Sequence, residues 1–74
     1  MKRKGDIEIG QRAFAEASKM FGGPSKAAKR LRLGRTTVFS WNSGDGTPSA
    51  YALQAMAFNG IDVLYVLTGR RTNG

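Results

Sequence analysis

Apolar residues recur along the chain at helical rather than strand spacing. No alternation of apolar and polar positions persists for six residues. Spacings of three and four repeat instead, punctuated by glycine, proline and Asp/Ser/Thr. The pattern predicts five short helices. The first runs from about Ile7 to Phe21, with Asp6 as its N-cap; Gly10, Phe14, Ala17 and Phe21 share one face, and Arg12, Glu16 and Lys19 point elsewhere. Gly22-Gly23-Pro24 ends it. The second runs from Pro24 or Ser25 to Leu31, with Pro24 suited to a first turn, where its missing N–H has no partner to lose. Ala27, Ala28 and Leu31 form its narrow apolar edge, and Lys26, Lys29 and Arg30 point outward.

The third helix covers Arg35 to Asn42 or Ser43 and is stopped by Gly44-Asp45-Gly46. The fourth covers about Ser49 to Phe58, capped by Thr47 or Ser49, with Ala52, Leu53 and Met56 in the core. The fifth covers Asp62 to Leu67: Asp62 caps it, Ile61 staples against Val66, and Gly69 closes it. Met56 and Leu64 read as core residues, with part of the 61–67 helix also open to a role as a dimer surface. The architecture expected is a compact all-α bundle of five helices. A basic arm (residues 1–6) precedes the body (7–69), and a polar tail (70–74) follows it.

The second and third helices are separated by only Arg32 to Gly34, and a link that short predicts the steep crossing of a helix-turn-helix over about residues 24–43. Ala27, Ala28, Leu31, Leu33, Val38 and Trp41 are the residues that such a pair must bury. On a helical wheel of residues 34–43, Gly34, Val38 and Trp41 cluster on one side. Arg35, Thr36, Phe39, Ser40 and Ser43 spread over the other, and Thr37 lies at the border. The outward set holds an arginine, hydroxyls and an aromatic ring, with no acid in the helix to repel phosphate.

Charge changes the picture further. Twelve Lys/Arg against five Asp/Glu give a net charge of +7 on 74 residues, which points to a polyanionic partner. Major-groove readout suits the outward set. Arginine grips guanine through two hydrogen bonds, hydroxyls bond several base edges, and an apolar group meets the thymine methyl. For Phe39 two roles stay open: contact with a thymine methyl or sugar, or folding back onto the loop. The N-terminus of the second helix, with Ser25 and Lys26, suits a phosphate. So do the backbone N–H groups of the Gly44, Gly46 and Thr47 loop. Lys2, Arg3 and Lys4 are candidates for an arm along the duplex.

Other functional classes find little support. There is no cysteine and no histidine, so disulfides, thiolate metal sites and the commonest general base are absent. A reducing, cytoplasmic setting fits. No run of about 18 apolar residues suggests a membrane span, and the start MKRKGDIEIG lacks the apolar core of a signal peptide. No phosphate-loop pattern, metal-ligand spacing or nucleophile–base pair occurs, so no catalytic residue, cofactor, metal or small-molecule ligand is expected.

The run PSKAAKRLRLGRTTVFSWNSGDGTPS, followed by NGIDVLYVLTGRR, resembles the DNA-binding domain of phage repressors and Cro-like regulators, the lambda-repressor-like family. The strongest elements are Ala28, Trp41 with Gly44 three residues on, Pro48, and Ile61-Asp62-Val63 with Leu67-Thr68-Gly69; the resemblance covers about residues 7–71. It implies a five-helix domain whose second and third helices bind DNA. Carried over by position, Arg35, Thr36 and Ser40 match base-reading sites, with Gly34, Thr37 and Phe39 beside them. Pro24, Ser25 and Ser43 match backbone contacts. The resemblance also implies a homodimer on a palindromic operator, blocking a promoter, either as a complete Cro-like protein or as the N-terminal domain of a longer repressor. Two positions depart from the pattern: Arg32 stands where the turn usually has glycine, and Gly34 replaces a Ser/Thr cap. A protein-interaction adaptor or antirepressor, anchored through an exposed Phe39, is the alternative.

Overall fold

The computed structural model describes residues 3–71, which form five α-helices and no strand. They are α1 (Lys4–Phe21), α2 (Pro24–Leu31), α3 (Arg35–Ser43), α4 (Ala50–Phe58) and α5 (Val63–Thr68). The all-α, five-helix expectation holds. Lys2 of the expected arm and residues 72–74 of the expected tail lie outside the described residues.

Helix α1 begins at Lys4, earlier than Asp6 as N-cap would allow. Asp6 sits inside the first turn, where a carboxylate favours the positive end of the helix dipole without accepting a capping bond. Arg3 is the cap residue, so Lys4 belongs to the helix rather than to an extended arm. The other ends follow the sequence closely. Pro24 opens α2. Ser49 Oγ accepts the Ala52 N–H at 3.1 Å, and Asp62 Oδ1 accepts the Tyr65 N–H at 3.0 Å. Ile61 and Val66 are both buried, as a staple around the Asp62 cap requires.

The core is built from Ala13, Ala17, Ala27, Ala28, Leu31, Val38, Trp41, Ala52, Met56, Ile61 and Val66. The face of α1 is shifted from the expected one. Ala13 is fully buried, while Phe14 and Phe21 are only half-buried against the cluster. Leu53 likewise packs at the margin. Leu64 is 53% exposed rather than part of the core, because α5 buries Val66 and turns Leu64 and Leu67 outward.

Helix α1 is the spine against which α2, α3 and α5 pack. Arg12, expected on its outer side, donates through Nε to the Val66 carbonyl at 2.9 Å and through Nη2 to the Leu67 carbonyl at 3.4 Å. A cation is thereby placed on carbonyls of the last turns of α5, the negative end of its dipole. Arg71 pairs with Glu16 at 2.9 Å and lies 3.7 Å from the Tyr65 ring. The hydrogen bond from Arg71 to Glu16 raises the Arg71 pKa above its ordinary value.

Gly10 fixes the approach of α1 to α3. A Cβ there would lie 2.7 Å from the Trp41 carbonyl oxygen and 2.8 Å from that of Gly46, both backbone atoms. Gly10→Ala is therefore expected to destabilise the fold by about 1–3 kcal/mol, the range for overpacking a filled core. The single tryptophan, Trp41, is buried and reports the shift in denaturation midpoint by fluorescence.

Candidate nucleic-acid interface

The link between α2 and α3 is a Schellman closure. The Leu33 N–H donates to the Ala28 carbonyl at 2.9 Å and the Arg32 N–H to the Lys29 carbonyl at 3.2 Å. This geometry needs a left-handed residue, and Arg32 takes it, at φ 58° and ψ 43°, with the only positive φ among the described non-glycine residues. The unusual turn residue therefore keeps the usual turn conformation, at a strain of about 1–2 kcal/mol. Arg32→Gly is expected to raise stability by about 1 kcal/mol, less than the full strain because glycine gains entropy in the unfolded chain. In a domain of this size that corresponds to a melting midpoint about 4–8 °C higher, read by calorimetry.

Helix α3 is held from one side. Val38 and Trp41 are 0% exposed. Gly34 is its N-cap, with φ −66° and ψ 143°, and offers no side-chain bond. Arg35, Thr36 and Thr37, the first turn, are exposed, and among the described residues their side chains make no hydrogen bond. Thr37, placed at the border by the wheel, belongs to this exposed set. Arg35, Thr36 and Phe39 together line a shallow concavity on the surface.

Two of the outward residues are not free as expected. Ser40 is half-buried, its Oγ donates to the Thr37 carbonyl at 2.6 Å, and the backbone of Gly46 closes over it. The loop after α3 folds back across this position, and the Ser40 hydroxyl is taken up by a carbonyl of its own helix. Phe39 is 37% exposed: its ring meets Phe14 of α1 edge-on, with centroids 5.8 Å apart at 62°, and the Arg35 guanidinium lies 5.3 Å from its centroid. Of the two roles left open for Phe39, folding back onto the loop is not the packing observed, which is against α1.

The expected phosphate contacts divide. At the start of α2, Ser25 and Lys26 are exposed and Pro24 is half-buried. Gly23, the cap residue, supplies no side-chain acceptor. First-turn N–H groups of a helix have no intrahelical partner, so those of Ser25 and Lys26 remain available to an anion. The loop after α3 is different. The N–H groups of Gly44, Asp45 and Gly46 all donate to the Ser40 carbonyl, the last two at 3.1 Å, which corrects the expectation that Gly44 and Gly46 offer theirs to phosphate. Thr47 is half-buried beside them. Ser43 is exposed, but its Oγ lies 3.1 Å from the Ser40 carbonyl and 3.1 Å from Asp45 Oδ2. A carboxylate thus borders the C-terminal end of α3, a feature invisible on a wheel that ends at Ser43.

The charge distribution is lopsided in a way the total conceals. Lys26, Lys29, Arg30, Arg32 and Arg35 are all exposed on α2, the turn and the start of α3. No Lys or Arg occurs between Arg35 and Arg70, and Asp62 is the one charged residue from Gly46 to Gly69. Tyr51, Phe58, Leu64 and Leu67 are exposed in that stretch, Phe58 at 81%. Among the described residues there is no cluster of candidate metal ligands, and no helix is long and apolar enough to cross a membrane. Comparison with protein families, with characterised proteins and with solved structures gives no match.

Proposed function

We propose that this chain is a sequence-specific double-stranded-DNA-binding transcriptional regulator of the lambda-repressor-like, Cro-like kind, in which α3 enters the major groove. One observation carries the reading: α3 is clamped by fully buried Val38 and Trp41 while its first turn, Arg35-Thr36-Thr37, stands exposed and unbonded. Residues near the N-terminus of a recognition helix are those that reach base edges. The surrounding Lys26, Lys29, Arg30 and Arg32 supply the sequence-independent attraction to phosphate. Ser25 and Lys26, at the open N-terminus of α2, take a backbone phosphate. No catalytic step, cofactor or small ligand enters the reading, and a cytoplasmic, prophage-type repressor that occludes a promoter is the form it takes.

The active species in this reading is a homodimer on a palindromic operator, with recognition helices about 34 Å apart. The exposed apolar stretch on α4 and α5 is the dimer surface that charge allows. Two chains of +7 repel one another, and this is the part of the sequence without basic residues. The adaptor alternative drew on a bare Phe39; the contacts of its ring with Phe14 and Arg35 weaken that motive.

Selection of bound sites from a random duplex pool tests the proposal. A palindromic site is expected to enrich, and its affinity to fall with a log–log salt slope of about −0.9 for each phosphate contacted. No enrichment at low salt, or binding insensitive to salt, would overturn it.

A further inference from the structure

We propose that Phe39 is a positioning residue for Arg35: braced edge-on by Phe14 of α1, its ring is a shelf that presets the Arg35 guanidinium for reading a guanine, and it touches no base itself. This inference rests on the DNA-reading role assigned to α3.

Arg35 and Phe39 are four residues apart on α3, a spacing that brings side chains together on a helix surface. The guanidinium carbon lies 5.3 Å from the ring centroid, within the range of a cation–π contact. The ring in turn meets Phe14 at 5.8 Å and 62°, the edge-to-face geometry that aromatic quadrupoles favour. Phe39 is therefore held by a neighbour from outside its own helix and is not a loose surface group.

The chemistry of the shelf suits a base-reading arginine. A carboxylate partner would also orient the side chain, but it would occupy the N–H groups needed for guanine O6 and N7. No carboxylate pairs with Arg35 among the described residues. A ring face orients the planar guanidinium and leaves its in-plane donors unspent. An arginine otherwise loses much conformational freedom when it grips a base, and presetting reduces that loss. Helix α1, outside the helix-turn-helix, thereby contributes to specificity through Phe14.

The test uses the full chain, the selected duplex, and a duplex in which the guanine sensitive to Arg35→Ala is replaced by adenine. Phe39→Leu is expected to lower guanine discrimination by about two- to fivefold, the equivalent of an exposed cation–π contact. The salt slope is expected to stay unchanged. Phe39→Tyr, which keeps the ring, should restore discrimination, and Phe14→Leu should lower it in the same direction. In an Arg35→Ala background, Phe39→Leu should remove nothing further. Without DNA, the Arg35 Cδ protons should show an upfield ring-current shift that Phe39→Leu abolishes; this holds the inference to account even if a variant folds poorly. Unchanged discrimination in Phe39→Leu, no ring-current shift in the parent chain, or a thymine preference that tracks Phe39 in the Arg35→Ala background would each overturn the shelf alone. A parent chain that selects no duplex would overturn the DNA-reading role and the shelf with it.

Discussion

Trp41→Ala is expected to destabilise the domain by about 3–5 kcal/mol, the range for truncating a large buried aromatic. A chain of 74 residues has roughly 4–11 kcal/mol in total at ordinary stability per residue. The substitution therefore removes about a quarter of the stability at best and unfolds the domain at worst. The indole is fully buried where α1 and α3 meet, and no other side chain in the core matches its volume. Trp41→Phe separates two contributions. Trp41 Nε1 is buried without a hydrogen-bond partner, and an unsatisfied buried donor costs about 1–3 kcal/mol. Phenylalanine loses some volume but removes that donor, so its penalty should fall well below that of alanine. Thermal unfolding followed by circular dichroism checks both, since each variant lacks the tryptophan reporter. Equal penalties for the two variants would mean that the indole N–H is satisfied in solution.

What the sequence made legible was local, and what it concealed was tertiary. Pro24, Ser49, Asp62, Gly44 and Gly69 mark ends of α2 to α5 because each satisfies or spares a backbone group within one helical turn of itself. The start of α1 was less legible, since Asp6 suits both an N-cap and a first turn, and Lys4 has no propensity against helix. Arg12 looked like a solvated charge because its acceptors, the Val66 and Leu67 carbonyls, lie more than fifty residues away in sequence. No local spacing carries that contact.

The candidate interface divides along the same line. A wheel places side chains around one helix axis and is blind to the path of the chain once the helix ends. It orders Arg35, Thr36, Val38 and Trp41 correctly, because their burial depends on the α3 axis alone. Ser40 goes astray because the Gly44–Gly46 turn returns its N–H groups to the Ser40 carbonyl and closes over its side chain; Ser43 is exposed as expected, with Asp45 brought alongside. Phe39 is outward as the wheel has it; what the wheel misses is that its ring meets Phe14 of α1 edge-on. A signal existed: Phe14, assigned to the core, lies on the helix against which a helix-turn-helix must pack. Two aromatic rings at such a junction can meet at its edge.

Arg35→Ala is expected to flatten base preference at one position of each half-site while leaving phosphate-driven binding nearly intact. A bidentate arginine–guanine pair discriminates by about 1–3 kcal/mol, which is roughly 5- to 150-fold in affinity. The loss should appear on the selected duplex and vanish on a duplex with that guanine replaced, because the variant no longer distinguishes them. A double cycle, one arm the side chain and the other the base, isolates this coupling from any general weakening. Lys29→Ala supplies the contrast. Lys29 is exposed on α2 and lies outside α3. Any contribution it makes is to the phosphate field, so its removal should weaken all duplexes alike and reduce the salt slope by at most about one contact. If Arg35→Ala instead weakened every sequence equally, Arg35 would be a phosphate ligand. The reading head would then rest on Thr36 and Thr37, whose hydroxyls discriminate among bases less sharply than a guanidinium fork.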